Sequence, residues 1–176
     1  RLSGIRSARE MILANLSMVA QLPAPTFREQ DRAEFIMNRF AESGLPEVRT
    51  DDVFNTYALV NDATSDAGTT VICTHIDNTF SGTVDQNITL TENRAYGAGV
   101  ADDNIALAVL LTLPDIFRLI EFTPTSRIML LATSRFHGQG DYGGMRQFVT
   151  EMKRSTKIDR FINITGLELG AINYLS

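Results

Sequence analysis

The chain has two histidines, His75 and His137, and both follow apolar, β-rich runs. Thr69-Thr70-Val71-Ile72-Cys73-Thr74 leads into His75, and Leu130-Leu131-Ala132-Thr133 leads towards Arg135, Phe136 and His137. His75 opens a His-x-Asp group with Asp77. An imidazole binds a divalent cation through one nitrogen, while a nearby carboxylate orients the ring and raises its basicity. Asp102 and Asp103 come after Gly97-Ala98-Gly99 and open a long apolar run. An aspartate at a helix start can accept a metal while the helix dipole holds its charge. A third apolar run, Phe161-Ile162-Asn163-Ile164, ends at Thr165 with Glu168 close behind. The same residues also read as a buried, hydrogen-bonded His75 and a plain N-cap at Asp102. Asp103 and Asn104 read as helix-start residues rather than ligands. Gly97-Ala98-Gly99 lacks the Lys-Ser/Thr ending of a phosphate loop, which weakens a nucleotide-binding reading.

Positioning these groups falls to an alternation of helices and strands. Ile5, Ala8, Ile12, Leu16, Val19 and Ala20 recur at helical spacing over residues 5–21, ahead of Pro23 and Pro25. Thr26 and Glu29 have the spacing of a capping box, and Ala33, Ile36, Met37, Phe40 and Ala41 form the apolar stripe that follows. Gly44 suits the close of that helix. Strands are expected over 47–51, 57–61, 69–74, 127–133 and 161–165, with a hairpin over 88–96. Helices are expected over 105–120, kinked or broken at Pro114, and over 143–154. This pattern predicts an α/β fold, a three-layer α/β/α sandwich with a mostly parallel central sheet. In such sheets ligands bind at the carboxyl ends of the strands, where both histidines fall.

Composition narrows the functional classes. Of the 176 residues, 44% are hydrophobic and 21% charged, as in a globular domain. Sixteen Lys and Arg against 21 Asp and Glu give a net charge of −5, which argues against a nucleic-acid partner. No window approaches the ~18 unbroken apolar residues of a membrane span. The single cysteine, Cys73, excludes an internal disulfide and a cysteine-built zinc cage. No signal-peptide pattern is visible, so the cytoplasm is the expected compartment. An unpaired sheet edge would favour a homodimer.

Taken in order, four segments resemble the zinc-dependent exopeptidase and amidohydrolase family of tripeptide aminopeptidases, glutamate carboxypeptidases, desuccinylases and aminoacylases. Leu22-Pro23-Ala24-Pro25-Thr26, with Glu29 and Arg32-Ala33, resembles its N-terminal helix pair. Thr74-His75-Ile76-Asp77-Asn78-Thr79-Phe80 resembles its first metal motif, and Tyr96 to Asn104 its second. Gly138-Gln139-Gly140-Asp141-Tyr142-Gly143-Gly144-Met145-Arg146 resembles the tail of its third.

The resemblance implies a phosphorylase/hydrolase-like catalytic domain, of which residues 1–176 would be the N-terminal portion, without the lid or dimerisation domain. It implies that His75 and Asp102 are zinc ligands, with Asp102 bridging where two ions bind, and that Asp77 is the catalytic carboxylate that orients His75. In the family two adjacent glutamates, a general base and a ligand, occupy the positions that here hold Phe136 and His137. A later acidic ligand would fall at Thr165. His137 can replace a ligand, giving a zinc site of His75, Asp102 and His137, but Phe136 cannot hold a proton. The implied function is hydrolysis of amide bonds in small peptides or N-acyl amino acids by a metal-activated water, impaired by Phe136. The alternative is a non-catalytic relative serving as a binding or assembly module.

Overall fold

The computed structural model describes residues 2–61, 68–80, 83–92 and 94–166. Helix α1 spans Leu2–Ala20 and α2 spans Gln30–Glu42. Strands β1 (Arg49–Thr50), β2 (Thr56–Leu59) and β3 (Thr69–His75) follow. A small hairpin, β4 (Thr89–Leu90) with β5 (Ala95–Tyr96), stands apart from the main sheet. Helix α3 (Ile105–Leu119), β6 (Arg127–Thr133), α4 (Gly143–Met152) and β7 (Ile158–Asn163) complete the described elements.

The main sheet has the order β1-β2-β6-β3-β7. β3 lies parallel between β6 and β7, whereas β2 runs antiparallel to both β1 and β6. The sheet is therefore mixed, with β2 alone reversed. β3 and β6 are buried nearly throughout, as strands covered on both faces must be. Alternation then assigns their side chains. Ile128, Leu130 and Ala132 of β6 pack with Val19 of α1, Ile36 and Phe40 of α2, and Leu107, Leu110 and Leu111 of α3. Met129 and Leu131 face the other way, with Val71 and Cys73 of β3 and Phe148 of α4. Three layers result: α1, α2 and α3 on one face of the sheet, α4 on the other.

Two local expectations are corrected. Thr26 and Glu29 form no capping box: α2 begins at Gln30, and Glu29 is its N-cap without a side-chain capping bond. Tertiary partners take both side chains instead. Of the kink or break expected at Pro114, the break does not occur: helix α3 runs from Ile105 to Leu119. Gly44 behaves as expected, taking a left-handed conformation (φ 69°) and returning its amide to Ala41. Among the described residues no helix is long and apolar enough to cross a membrane.

Candidate metal centre

His75 is the last residue of β3 and is buried, with its backbone paired opposite Thr133 of β6. Because β3 and β6 are parallel and in register, the segments leaving them, 76–78 and 134–137, emerge side by side at one rim of the sheet. His75 Nε2 lies 3.1 Å from His137 Nε2 and 3.7 Å from Asp102 Oδ1. One ligand atom from each of the three residues lies within 4.8 Å of the other two. The three residues expected to hold a metal are thus brought together from three separate segments.

Asp102 reaches the rim differently from the helix-capping geometry expected. Residues 100–104 form a widened turn, Asp102 and Asp103 have extended φ of −133°, and Asn104 is the residue that precedes α3. Asp102 keeps its carboxylate 43% exposed, while Asp103 turns inward and is buried. Asp103 Oδ2 accepts from Thr74 Oγ1 at 2.6 Å and lies 3.2 Å from His75 Nδ1. Asp103 thus flanks the Nδ1 side of the ring, while Nε2 faces His137 and Asp102. Local spacing marks Asp103 only as a helix-start residue, and nothing in it separates the inward path of Asp103 from the outward path of Asp102.

Asp77 is buried and its carboxylate is taken up by two backbone amides and a hydroxyl. It accepts the Phe136 amide (2.9 Å to Oδ1), the His137 amide (2.9 Å to Oδ2) and the Thr26 hydroxyl (2.8 Å to Oδ2). These bonds anchor the segment that carries His137. Phe136 stacks on His75, and His137 and Tyr142 each meet the Phe136 ring edge to face. Thr165 is exposed just beyond β7, and Glu168 lies outside the described residues. The Gly97–Gly99 segment contributes to the turn before α3, where the Asn104 amide returns to Gly99 O.

Burial governs the electrostatics. His75 is pushed down to about 4, first by burial and then by His137, against the pull of Asp77 and Asp102. It is neutral at pH 7, the form that binds metals. Asp103 is pushed up to about 7, chiefly by burial, with the Thr74 hydrogen bond opposing. Fit to a cation can be judged from distances. Tetrahedral zinc with bonds of about 2.0–2.1 Å sets its ligand atoms about 3.3–3.4 Å apart. The 3.1 and 3.7 Å separations bracket that value, all three ligand atoms lie within 4.8 Å of one another, and the Asp102 carboxylate is half-exposed. Two nitrogen donors facing each other with a carboxylate alongside suit zinc.

By fold, the chain stands with aminopeptidases and dipeptidases. It matches aminopeptidase PepT from Bacillus cereus with a TM-score of 0.67 and 17% identity, over 89% of this chain and 43% of that one. It matches the dipeptidase Dug1p from Saccharomyces cerevisiae with a TM-score of 0.73 and 14% identity, over 93% and 40%. Human carnosine dipeptidase 1 gives a TM-score of 0.68 and 13% identity, over 93% and 40%. The chain therefore spans less than half the length of these proteins, and at these identities the likeness is one of fold. No family model and no curated protein matches the sequence.

Proposed function

We propose that this chain is the N-terminal portion of the catalytic domain of a zinc-dependent hydrolase of amide bonds, taking small peptides or N-acyl amino acids, with attenuated turnover. The observation that supports this reading is the convergence of His75 Nε2, His137 Nε2 and the Asp102 carboxylate at the strand-end rim of a peptidase fold. A zinc ion there would polarise a substrate carbonyl and acidify a water. The chain's own residues supply the rest. Asp103 holds the His75 ring from Nδ1. Asp77 fixes the His137 segment through two amides and adds its charge to the surroundings of His75. Asp102 presents an accessible carboxylate to solvent.

What the site lacks is a proton carrier at residue 136. A general base is typically worth roughly 10²–10⁴-fold, so turnover is expected to be slower by that order. The Phe136 ring against His75 favours a second reading, a non-catalytic module that binds the same ligands or a partner subunit.

Metal content and hydrolysis of a panel of dipeptides and N-acyl amino acids, with added Zn²⁺, Co²⁺ or Mn²⁺, separate the two. Turnover abolished by His75→Ala supports the hydrolase. One metal per chain with no turnover supports the module. Metal content far below one per chain, again with no turnover, also supports the module and removes the hydrolase.

A further inference from the structure

The start of α2 reaches all three segments that carry the candidate ligands. Glu29, the N-cap, is fully buried, and its Oε1 accepts the Arg135 amide at 2.9 Å, two residues before His137. Arg32 sits one turn later on the same helix face and is 2% exposed. Its Nη1 donates to Ile76 O at 2.9 Å, immediately after His75, and to Asn104 Oδ1 at 3.0 Å, two residues after Asp102. The remaining guanidinium nitrogens donate to Leu22 O and Val19 O, tying the same group to the end of α1.

Stability alone is a poor explanation for these two residues. A buried ion costs several kcal/mol of desolvation, and a packed apolar residue of similar volume is often as stabilising. Glu29 Oε2 is buried without a hydrogen-bond partner, which a residue selected for stability would avoid. A rigid guanidinium fork does what an apolar side chain cannot: it sets the relative placement of the backbone groups it binds. With Asp77, Glu29 also completes a run in which the amides of Arg135, Phe136 and His137 all end on buried carboxylates.

We propose that Glu29 and Arg32 are positioning residues of the metal centre, which touch no ion and hold His75, Asp102 and His137 in one constellation from a single helix face. This rests on the reading that those three residues bind a divalent cation.

The test is Zn²⁺ affinity by chelator competition, with the Co²⁺ d–d spectrum as a second readout and circular dichroism to confirm folding. Glu29→Ala and Arg32→Lys are expected to weaken binding by roughly 10–100-fold and to shift the Co²⁺ bands. Glu29→Gln, which keeps the acceptor, should restore near wild-type affinity. In a His137→Ala background, Glu29→Ala should cost less than about twofold more, because the ligand it positions is gone. Additive losses in that background would overturn the proposal for Glu29. Wild-type affinity and spectrum in folded Glu29→Ala and Arg32→Lys proteins would overturn it for both. If the wild type binds no Zn²⁺, or His75→Ala leaves binding unchanged, the metal reading has failed and takes this proposal with it. Should Arg32→Lys not fold, the Glu29 series decides alone.

Discussion

His75 and Phe136 lie face to face, ring centroids 4.0 Å apart and planes 6° from parallel. The residue that lacks a titratable group therefore covers one face of the imidazole whose Nε2 points into the candidate site. Restoring a carboxylate at this position should restore proton transfer. Phe136→Glu is expected to raise kcat/KM for a dipeptide by roughly 10²–10⁴-fold, measured with Zn²⁺ in excess. Unchanged turnover with metal still bound would mean that residue 136 is not what limits the reaction.

Loss of a ligand should cost more than loss of a residue behind it. His75→Ala, Asp102→Ala and His137→Ala are each expected to weaken Zn²⁺ binding by more than the roughly 10–100-fold typical of outer-shell changes. For the wild type, free Zn²⁺ at 100 times Kd should add about 2.7 kcal/mol of stability. For a chain of this size that raises Tm by about 5–10 °C, and EDTA reverses it. Scanning calorimetry with and without chelator reads both.

Acidification of the chelator-treated protein should separate two opposed contributions. His75 is lowered from 6.5 to about 4, so its share of stability is complete above pH 6.5 and is lost as pH falls through about 4. Asp103 is raised from 3.8 to about 7, so its share is complete below pH 3.8 and is lost as pH rises through about 7. At about 1.4 kcal/mol per unit of pKa, each amounts to roughly 3–4 kcal/mol at most. Urea titrations from pH 7 to 4.5 should show His75→Gln gaining stability relative to wild type and Asp103→Asn losing it. Parallel slopes in all three proteins would contradict this.

Cys73 faces the α4 side of the sheet, and burial pushes its thiol up to about 12. It should react with Ellman's reagent on the order of a thousandfold more slowly than an exposed thiol, and at full speed in 6 M guanidinium. Rapid reaction of the folded chain would show that β3 is less well covered than described.

β7 is an edge strand with Phe161 and Ile162 about half exposed, a surface suited to a second copy of the chain. In a two-fold antiparallel pairing, centring on Arg160 or Asp159 sets like charges opposite each other. Centring on Phe161 instead sets it against its copy, and Arg160 against Ile162. Light scattering should show concentration-dependent dimers, lost in Phe161→Lys. A monomer at every concentration would rule this pairing out.

The elements were legible where local signals and burial agree. The mostly apolar run Arg127–Thr133 forms β6 with the expected bounds, because a strand covered on both faces leaves little room for another pattern. The strand-end positions of His75 and His137 were equally readable, since parallel strands deliver their following segments to one rim. Glu29 reads only as a capping residue and Arg32 only as part of a family-like helix pair; their burial beside Ala33, Ile36 and Phe40 is visible only in the folded chain.

What the sequence by itself determined is therefore the layer order, the rim and the identities of the ligand candidates. Only the tertiary structure decided which carboxylate serves which partner: Asp103 rather than Asp77 lies beside His75 Nδ1, Asp77 holds the His137 segment, and Thr26 and Glu29, which precede α2, bind Asp77 and the Arg135 amide. The reason is that buried amides must find acceptors. The acceptors that met that need were 59 to 106 residues away along the chain, a distance over which no local pattern carries information.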